Sequence, residues 1–194
     1  MHRHAAALCA LALLVAACVA RAWPYDTDVP EVDFHELQAT LVDGTTFDFE
    51  RLRGRYVAVV NVASECGYTE SGYEDLAKVQ YTEDWDFLVF PSNDFGAQEP
   101  GPAAAAMALA RDTYGLRVDS EHVHFFQKAN ISMGKPGRHP VFLWIDRNMP
   151  QAGGTKWNFE KFAVDPHGKP LVRLNSAASL TEYVHTLQAN REDL

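Results

Sequence analysis

Cys66 is the residue in this 194-residue sequence best placed to do redox chemistry. It follows an almost unbroken apolar, β-branched run, Tyr56 to Ala63, and precedes a helical pattern that begins near Thr69. Ligands and reacting groups of open α/β sheets gather at the carboxyl ends of strands. A helix N-terminus offers free amide hydrogens and the positive end of a dipole, and both favour an anion. The thiolate, not the thiol, attacks peroxides. The other two cysteines, Cys9 and Cys18, lie in an apolar segment near the N-terminus. A thiol without a partner is an inert buried hydrophobe, a reactive nucleophile or a link to another chain, and position alone leaves all three open.

Other chemistry has weaker support. His122 and His124 fall on one face of a possible strand, but two ligands at that spacing do not make a metal site, and a polar edge strand accounts for them. No glycine-rich phosphate loop and no dinucleotide fingerprint occur. The net charge of −9 argues against nucleic acid or an anionic membrane as partner.

The elements that would position Cys66 follow from patterning. The length predicts one domain, and an apolar content of 47% is enough for a sizeable core. Asp43-Gly44 predicts a hairpin turn leading into a strand over Thr45 to Phe49. Tyr56 to Ala63 reads as a central strand buried on both faces, and Phe87 to Phe90 as a second, ended by Pro91. Between them Thr69 to Tyr81 reads as a helix with Thr69 as its N-cap and Tyr73, Leu76 and Ala77 on one face. A second helix runs from Pro102, as its first residue, to a cap at Gly115. Asp119 to Lys128 suits an edge strand or an extended loop, and Pro140 to Asp146 a helix. Asp165-Pro-His-Gly168 predicts a hairpin between Phe159–Val164 and Leu171–Leu174. Ser179-Leu-Thr-Glu182 is a capping box opening a last helix, whose stripe is Leu180, Tyr183, Val184 and Leu187. The order predicts an α/β layer fold, a central mixed sheet flanked by helices, compatible with a thioredoxin-like fold.

Three segments carry a family resemblance. Asn61-Val-Ala-Ser-Glu-Cys-Gly-Tyr-Thr69, Phe90-Pro-Ser-Asn-Asp-Phe-Gly-Ala-Gln-Glu-Pro100 and Trp157-Asn-Phe-Glu-Lys-Phe162 resemble, in order, the three motifs of the glutathione peroxidases. The resemblance runs from about Phe34 to Gln188 and is to the cysteine-type endoplasmic-reticulum branch of that family. It implies a thioredoxin-like fold and a catalytic tetrad of Cys66, Gln98, Trp157 and Asn158. An indole N–H and two amides around one sulfur would stabilise a thiolate and later an oxidised sulfur. The implied activity is reduction of hydrogen peroxide or organic hydroperoxides through a Cys66 sulfenic acid, without a bound cofactor or metal. The reductant would be an external thiol, glutathione or protein disulfide isomerase. A different reading keeps the fold and makes Cys66 a low-turnover redox sensor or binding module that forms mixed disulfides.

The second motif departs from that branch at two positions. Ser92 stands where a cysteine is expected and Asp94 where a glutamine is. Ser92 closes any route through a second motif cysteine. Asp94 adds a charge that would disfavour a thiolate if it lay beside the sulfur and would do little if solvated.

Residues 1–22 read as a secretory signal peptide: a basic start, an apolar run from Ala5 to Ala20, and a small-residue cleavage pattern at Ala20-Arg21-Ala22. An uncleaved anchor is the alternative. Residues 23–190 would form the peroxidase domain, and 191–194, Arg-Glu-Asp-Leu, resemble a retrieval tail. The expectation is a protein of the endoplasmic-reticulum lumen with no membrane span after cleavage. Asn130-Ile-Ser132 is a possible N-glycosylation site on a surface loop. The short stretch between Pro140 and Trp157 resembles the monomeric members, so a monomer is expected.

Overall fold

The computed structural model describes residues 32–149 and 154–192. A short hairpin comes first, β1 (Gln38–Thr40) paired antiparallel with β2 (Thr46–Asp48), flanked by 3-10 turns at Phe34–Glu36 and Phe49–Leu52. Its turn uses Gly44 at φ 88°, a left-handed conformation that glycine adopts without strain. Then follow β3 (Tyr56–Val62), α1 (Thr69–Val79), β4 (Trp85–Pro91), α2 (Ala103–Tyr114), β5 (Val123–Phe125), α3 (Pro140–Asn148), β6 (Lys161–Val164), β7 (Pro170–Leu174) and α4 (Leu180–Glu192).

The main sheet has the order β5-β4-β3-β6-β7. β3, β4 and β5 are parallel; β6 and β7 return antiparallel. This is the expected α/β architecture with a mixed central sheet and a thioredoxin-like topology. β3 is apolar throughout because both its faces are covered. Val57 and Val59 join a cluster with Phe34, Phe49, Phe142 and Trp144, from the N-terminal segment and α3. Ala58, Val60 and Val62 join the opposite cluster with Tyr73, Leu76, Ala106, Ala110 and Val184, from α1, α2 and α4. Each fully buried Val, Leu or Phe in these layers contributes about 1.5–3 kcal/mol.

Several boundaries differ from the sequence expectation. Thr69 is the first residue of α1 rather than its cap; Tyr68 holds the cap position. Pro102 likewise precedes α2 at the cap position, while Gly115 ends that helix at φ 70° as expected. In the segment Asp119 to Lys128 only Val123–Phe125 is strand, at the sheet edge. Ser179 does accept the Glu182 N–H, at 3.1 Å. The stronger cap on α4 comes from elsewhere: the Asp75 carboxylate of α1 accepts from the N–H groups of Leu180 and Thr181 and from the Ser179 hydroxyl. Burial opposes ionisation of Asp75, but these bonds outweigh it and hold its pKa below the usual carboxylate value.

His122 and His124 do share a face, and both meet the buried carboxylate of Asp86, at 3.6 and 2.9 Å. Arg55 pairs with the same carboxylate and with His122, so a structural ion cluster fills this place. Among the described residues no group of three side chains is arranged to hold a metal ion, and no helix is long and apolar enough to cross a membrane. Residues 1–22 lie outside the described residues, as do 193 and 194 of the expected tail.

Candidate active site

Cys66 sits in the loop between the end of β3 and the start of α1. That loop is closed on itself. The Thr69 hydroxyl donates to the Ala63 carbonyl at 2.7 Å and accepts from the Cys66 N–H at 3.0 Å, while the Thr69 N–H donates to the Cys66 carbonyl. The sulfur is 8% exposed at the residue level and accepts a hydrogen bond from the Tyr68 N–H at 3.4 Å. A backbone N–H at a helix start is the donor expected for an anionic sulfur.

Gln98 arrives on the loop after β4. Gly96 at φ 66° and Ala97 at φ 52° turn this loop through the left-handed region. The Gln98 side chain lies over Gly96, where an added Cβ would meet it at 3.3 Å. The Gln98 carbonyl accepts from the Glu65 N–H at 2.9 Å, which fastens this loop to the residue before Cys66.

Trp157 and Asn158 arrive just before β6. Asn158 is fully buried, and its Nδ2 donates to Gln98 Oε1 at 3.0 Å and to the Phe95 carbonyl at 3.3 Å. Trp157 is 39% exposed and packs on Phe95 at 6.1 Å between ring centroids. The structure therefore couples Gln98 directly to Asn158 and ties Gln98 to the nucleophile loop. It does not place a hydrogen bond from Gln98, Trp157 or Asn158 on the sulfur, whose donor is the Tyr68 amide.

Asn61 is a site residue that sequence reading passed over. It is fully buried in β3, where Nδ2 donates to the Trp157 carbonyl at 2.9 Å and Oδ1 accepts from the Glu160 N–H at 3.1 Å. Its carbonyl accepts from the Phe159 N–H at 2.7 Å. One residue thus fixes the third motif against the strand that delivers Cys66. The signal was present: Asn61 is the one polar residue in an otherwise apolar central strand. Gly72 is a second such residue, because a Cβ there would lie 2.2 Å from the Phe159 ring.

The two departures have structural roles. Ser92 is fully buried at the end of β4; its hydroxyl donates to the Ala129 carbonyl at 2.9 Å and accepts from the Asp94 N–H. Asp94 is neither solvated nor hydrogen-bonded to Cys66. Its buried carboxylate accepts from the N–H groups of Ile131 and Ser132 and pairs with Lys135 at 2.6 Å. Burial raises its pKa, but the Lys135 ammonium and the two amides prevail and hold it low. Asn130, the possible glycan acceptor, is exposed beside this staple.

Comparison with known proteins agrees with the motif reading. The family model described as glutathione peroxidase matches residues 34–146. Human glutathione peroxidase 7 is 34% identical over 178 residues, covering 87% of this chain and 89% of the relative. The Saccharomyces cerevisiae glutathione peroxidase-like peroxiredoxin HYR1 is 33% identical over 163 residues, covering 80% and 96%. The crystal structure of T. cruzi GPX1 superposes with a TM-score of 0.57 at 26% identity, covering 80% of this chain and 94% of that one.

Proposed function

This chain belongs to the glutathione peroxidase family, and from that premise we propose that Cys66 is the atom through which it reduces peroxides. The chain is a thiol-dependent peroxidase, an oxidoreductase that takes a peroxide as electron acceptor. The Cys66 thiolate attacks the terminal oxygen of ROOH. The O–O bond breaks, the sulfur keeps OH as a sulfenic acid, and the departing RO⁻ takes a proton to become alcohol or water. A thiol R′SH then condenses with the sulfenic acid, releasing water and leaving a mixed disulfide. A second thiol exchanges into that disulfide, returns the Cys66 thiol and leaves as the oxidised reductant.

The observation that carries this assignment is the stitching of three distant segments around one loop. Cys66 closes on Thr69, Glu65 is fastened to Gln98, and Gln98 is held by Asn158. Gln98 and Trp157 act as donors to the charge that develops on sulfur and oxygen during transfer, and Asn158, whose amide hydrogens are held by Gln98 Oε1 and the Phe95 carbonyl, fixes Gln98 in place. Catalytic hydrogen bonds are often long in an unliganded enzyme and tighten only with substrate present. The reductant is glutathione or a dithiol protein of the disulfide isomerase class, and the chain works as a monomer in the endoplasmic-reticulum lumen. The signal-like residues 1–22, the tail 191–194 and the sequon at Asn130 support that placement.

The test is a trapping experiment. The reduced protein receives one equivalent of peroxide, and sulfenic acid is captured with a dimedone-type reagent in the native chain and in Cys66→Ser. Rapid capture that disappears in the variant is expected. Oxidation no faster than that of free cysteine, or capture that survives the substitution, would remove the peroxidase role from Cys66. Adding glutathione or a disulfide isomerase next identifies which thiol clears the adduct.

A further inference from the structure

Beneath the nucleophile loop lies a carboxylic acid that takes no part in the steps of peroxide reduction. Glu99 is 1% exposed, and both its oxygens lie within reach of the Ser64 hydroxyl, at 3.0 and 2.9 Å. Ser64 is two residues before Cys66, and Glu99 is the residue after Gln98. The Glu99 backbone is pinned as well: its N–H donates to Asn93 Oδ1 at 2.8 Å, and its carbonyl accepts from Lys128 Nζ at 2.5 Å. Lys128 spends its hydrogens on the carbonyls of Glu99 and Gly101, so the carboxyl group has no ion-pair partner among the described residues. A buried carboxyl held by the hydroxyl and the backbone N–H of one serine and by no cation is costly unless it does something that an apolar side chain could not.

We infer that Glu99 is a positioning residue for Cys66: through Ser64 its carboxyl clamps the loop carrying the nucleophile to the loop carrying Gln98. The clamp runs parallel to the Glu65 N–H to Gln98 carbonyl bond, so the two loops are joined at two points, one on each side of the chain step from Ser64 to Glu65. This rests on the assignment of Cys66 as the reacting sulfur.

The same clamp is titratable. Burial raises the pKa of Glu99, with the Ser64 hydrogen bonds and the Lys128 charge opposing and the Glu65 charge adding to the rise. The other ionisable group that feels it is the Tyr73 phenol of α1, which stacks on Tyr114 of α2 and has no hydrogen-bond partner among the described residues. Burial and the Glu99 charge both oppose its ionisation.

Three single variants and one double variant test the inference by stopped-flow rates of Cys66 oxidation from pH 5 to 9, with melting temperatures taken in parallel. Glu99→Gln keeps an acceptor for Ser64 and cannot ionise. Its oxidation rate should stay within about twofold of the native chain at every pH, a rescue by the conservative variant that keeps the loops clamped. Ser64→Ala and Glu99→Ala break the clamp and should slow oxidation about tenfold or more at every pH, because small misplacements of reacting groups cost that much. The double substitution should be no slower than either single one. Should Glu99→Ala fail to fold, the other two variants decide. Ser64→Ala within about twofold of native, or Glu99→Gln as slow as Ser64→Ala, would overturn the inference. Sulfenic acid trapped in Cys66→Ser would instead overturn the underlying assignment of the nucleophile.

Discussion

At the scale of single residues, donors and packing can be separated. Trp157 is more than one-third exposed, and its contact with Phe95 is peripheral, whereas Asn158 is fully buried. Substitutions at exposed positions usually move stability by no more than about 0.5 kcal/mol. Trp157→Phe keeps the aromatic contact and deletes the indole N–H. We expect the melting temperature to stay close to native and the rate of Cys66 oxidation by hydrogen peroxide to fall by about a hundredfold to a thousandfold, the range seen when one preorganised donor is removed. A native rate in this variant would take Trp157 out of the chemistry and leave the sulfur to backbone donors. Asn158→Ala should behave differently. It strands the Phe95 carbonyl and Gln98 Oε1, so it should lower stability by about 1–3 kcal/mol as well as rate. Comparing the two variants in urea melts and peroxide kinetics tells a donor from a strut.

At the scale of elements, the site depends on contacts that do not announce themselves in a linear pattern. Strands β3 and β4 were legible because an apolar β-branched run buried on both faces has few alternatives. The two hairpins were legible from their Asp-Gly and Asp-Pro-His-Gly turns. Thr69 was misread because a threonine at a helix start usually caps it, whereas here the hydroxyl reaches back to Ala63 and Cys66 to close the nucleophile loop. The Asp75 cap on α4 was not legible, because it is set by the packing of two helices far apart in sequence. Gly72 belongs to the same class. Phe159 sits against it with φ 62°, and that position lies next to Asn158. Gly72→Ala is therefore expected to push the third motif off α1, costing about 1–3 kcal/mol of stability and slowing peroxide reduction. An alanine variant with native kinetics would mean that the Phe159 ring moves aside without disturbing Asn158. The opening of α3 gives a pH prediction. His139 caps this helix by accepting from the Val141 N–H, and burial depresses its pKa from 6.5 to about 4. The folded state prefers the neutral ring, so this contribution is complete above about pH 6.5 and drains away as the pH falls towards 4; at most it amounts to roughly 3 kcal/mol. His139→Asn keeps a capping oxygen and cannot titrate there. Urea midpoints between pH 7 and 4 should fall less steeply in this variant, and parallel slopes would exclude the cap.

At the scale of the whole molecule, the cysteine arrangement limits how a catalytic cycle can end. Among the described residues Cys66 is the free cysteine, and the position where this branch of the family is expected to carry a second one is a buried serine bonded to Ala129. A chain from which residues 1–22 have been removed has no other thiol. Its sulfenic acid has no thiol within the molecule to condense with, and the burial of Cys66 hinders direct attack by a second copy. We therefore expect that, after one equivalent of peroxide and with no added thiol, intact-mass measurement shows a persistent species heavier by one oxygen, with no loss of two hydrogens and little disulfide-linked dimer. Excess peroxide should then drive it on to the sulfinic acid. Placing a thiol at the vacant family position, as Ser92→Cys, tests the same logic from the other side. Position 92 is fully buried at the end of β4, so the new thiol reaches the sulfenic acid only if its loop opens. A variant that forms an intrachain disulfide within the lifetime of the sulfenic acid would show that this loop opens on the catalytic timescale. The native protein would then depend on external thiols only because residue 92 is serine. A variant that accumulates the same oxygenated species as the native chain would show that burial, as well as residue identity, enforces the dependence. Rapid dimerisation of the native chain after peroxide, followed by non-reducing electrophoresis, would contradict the expectation in both forms.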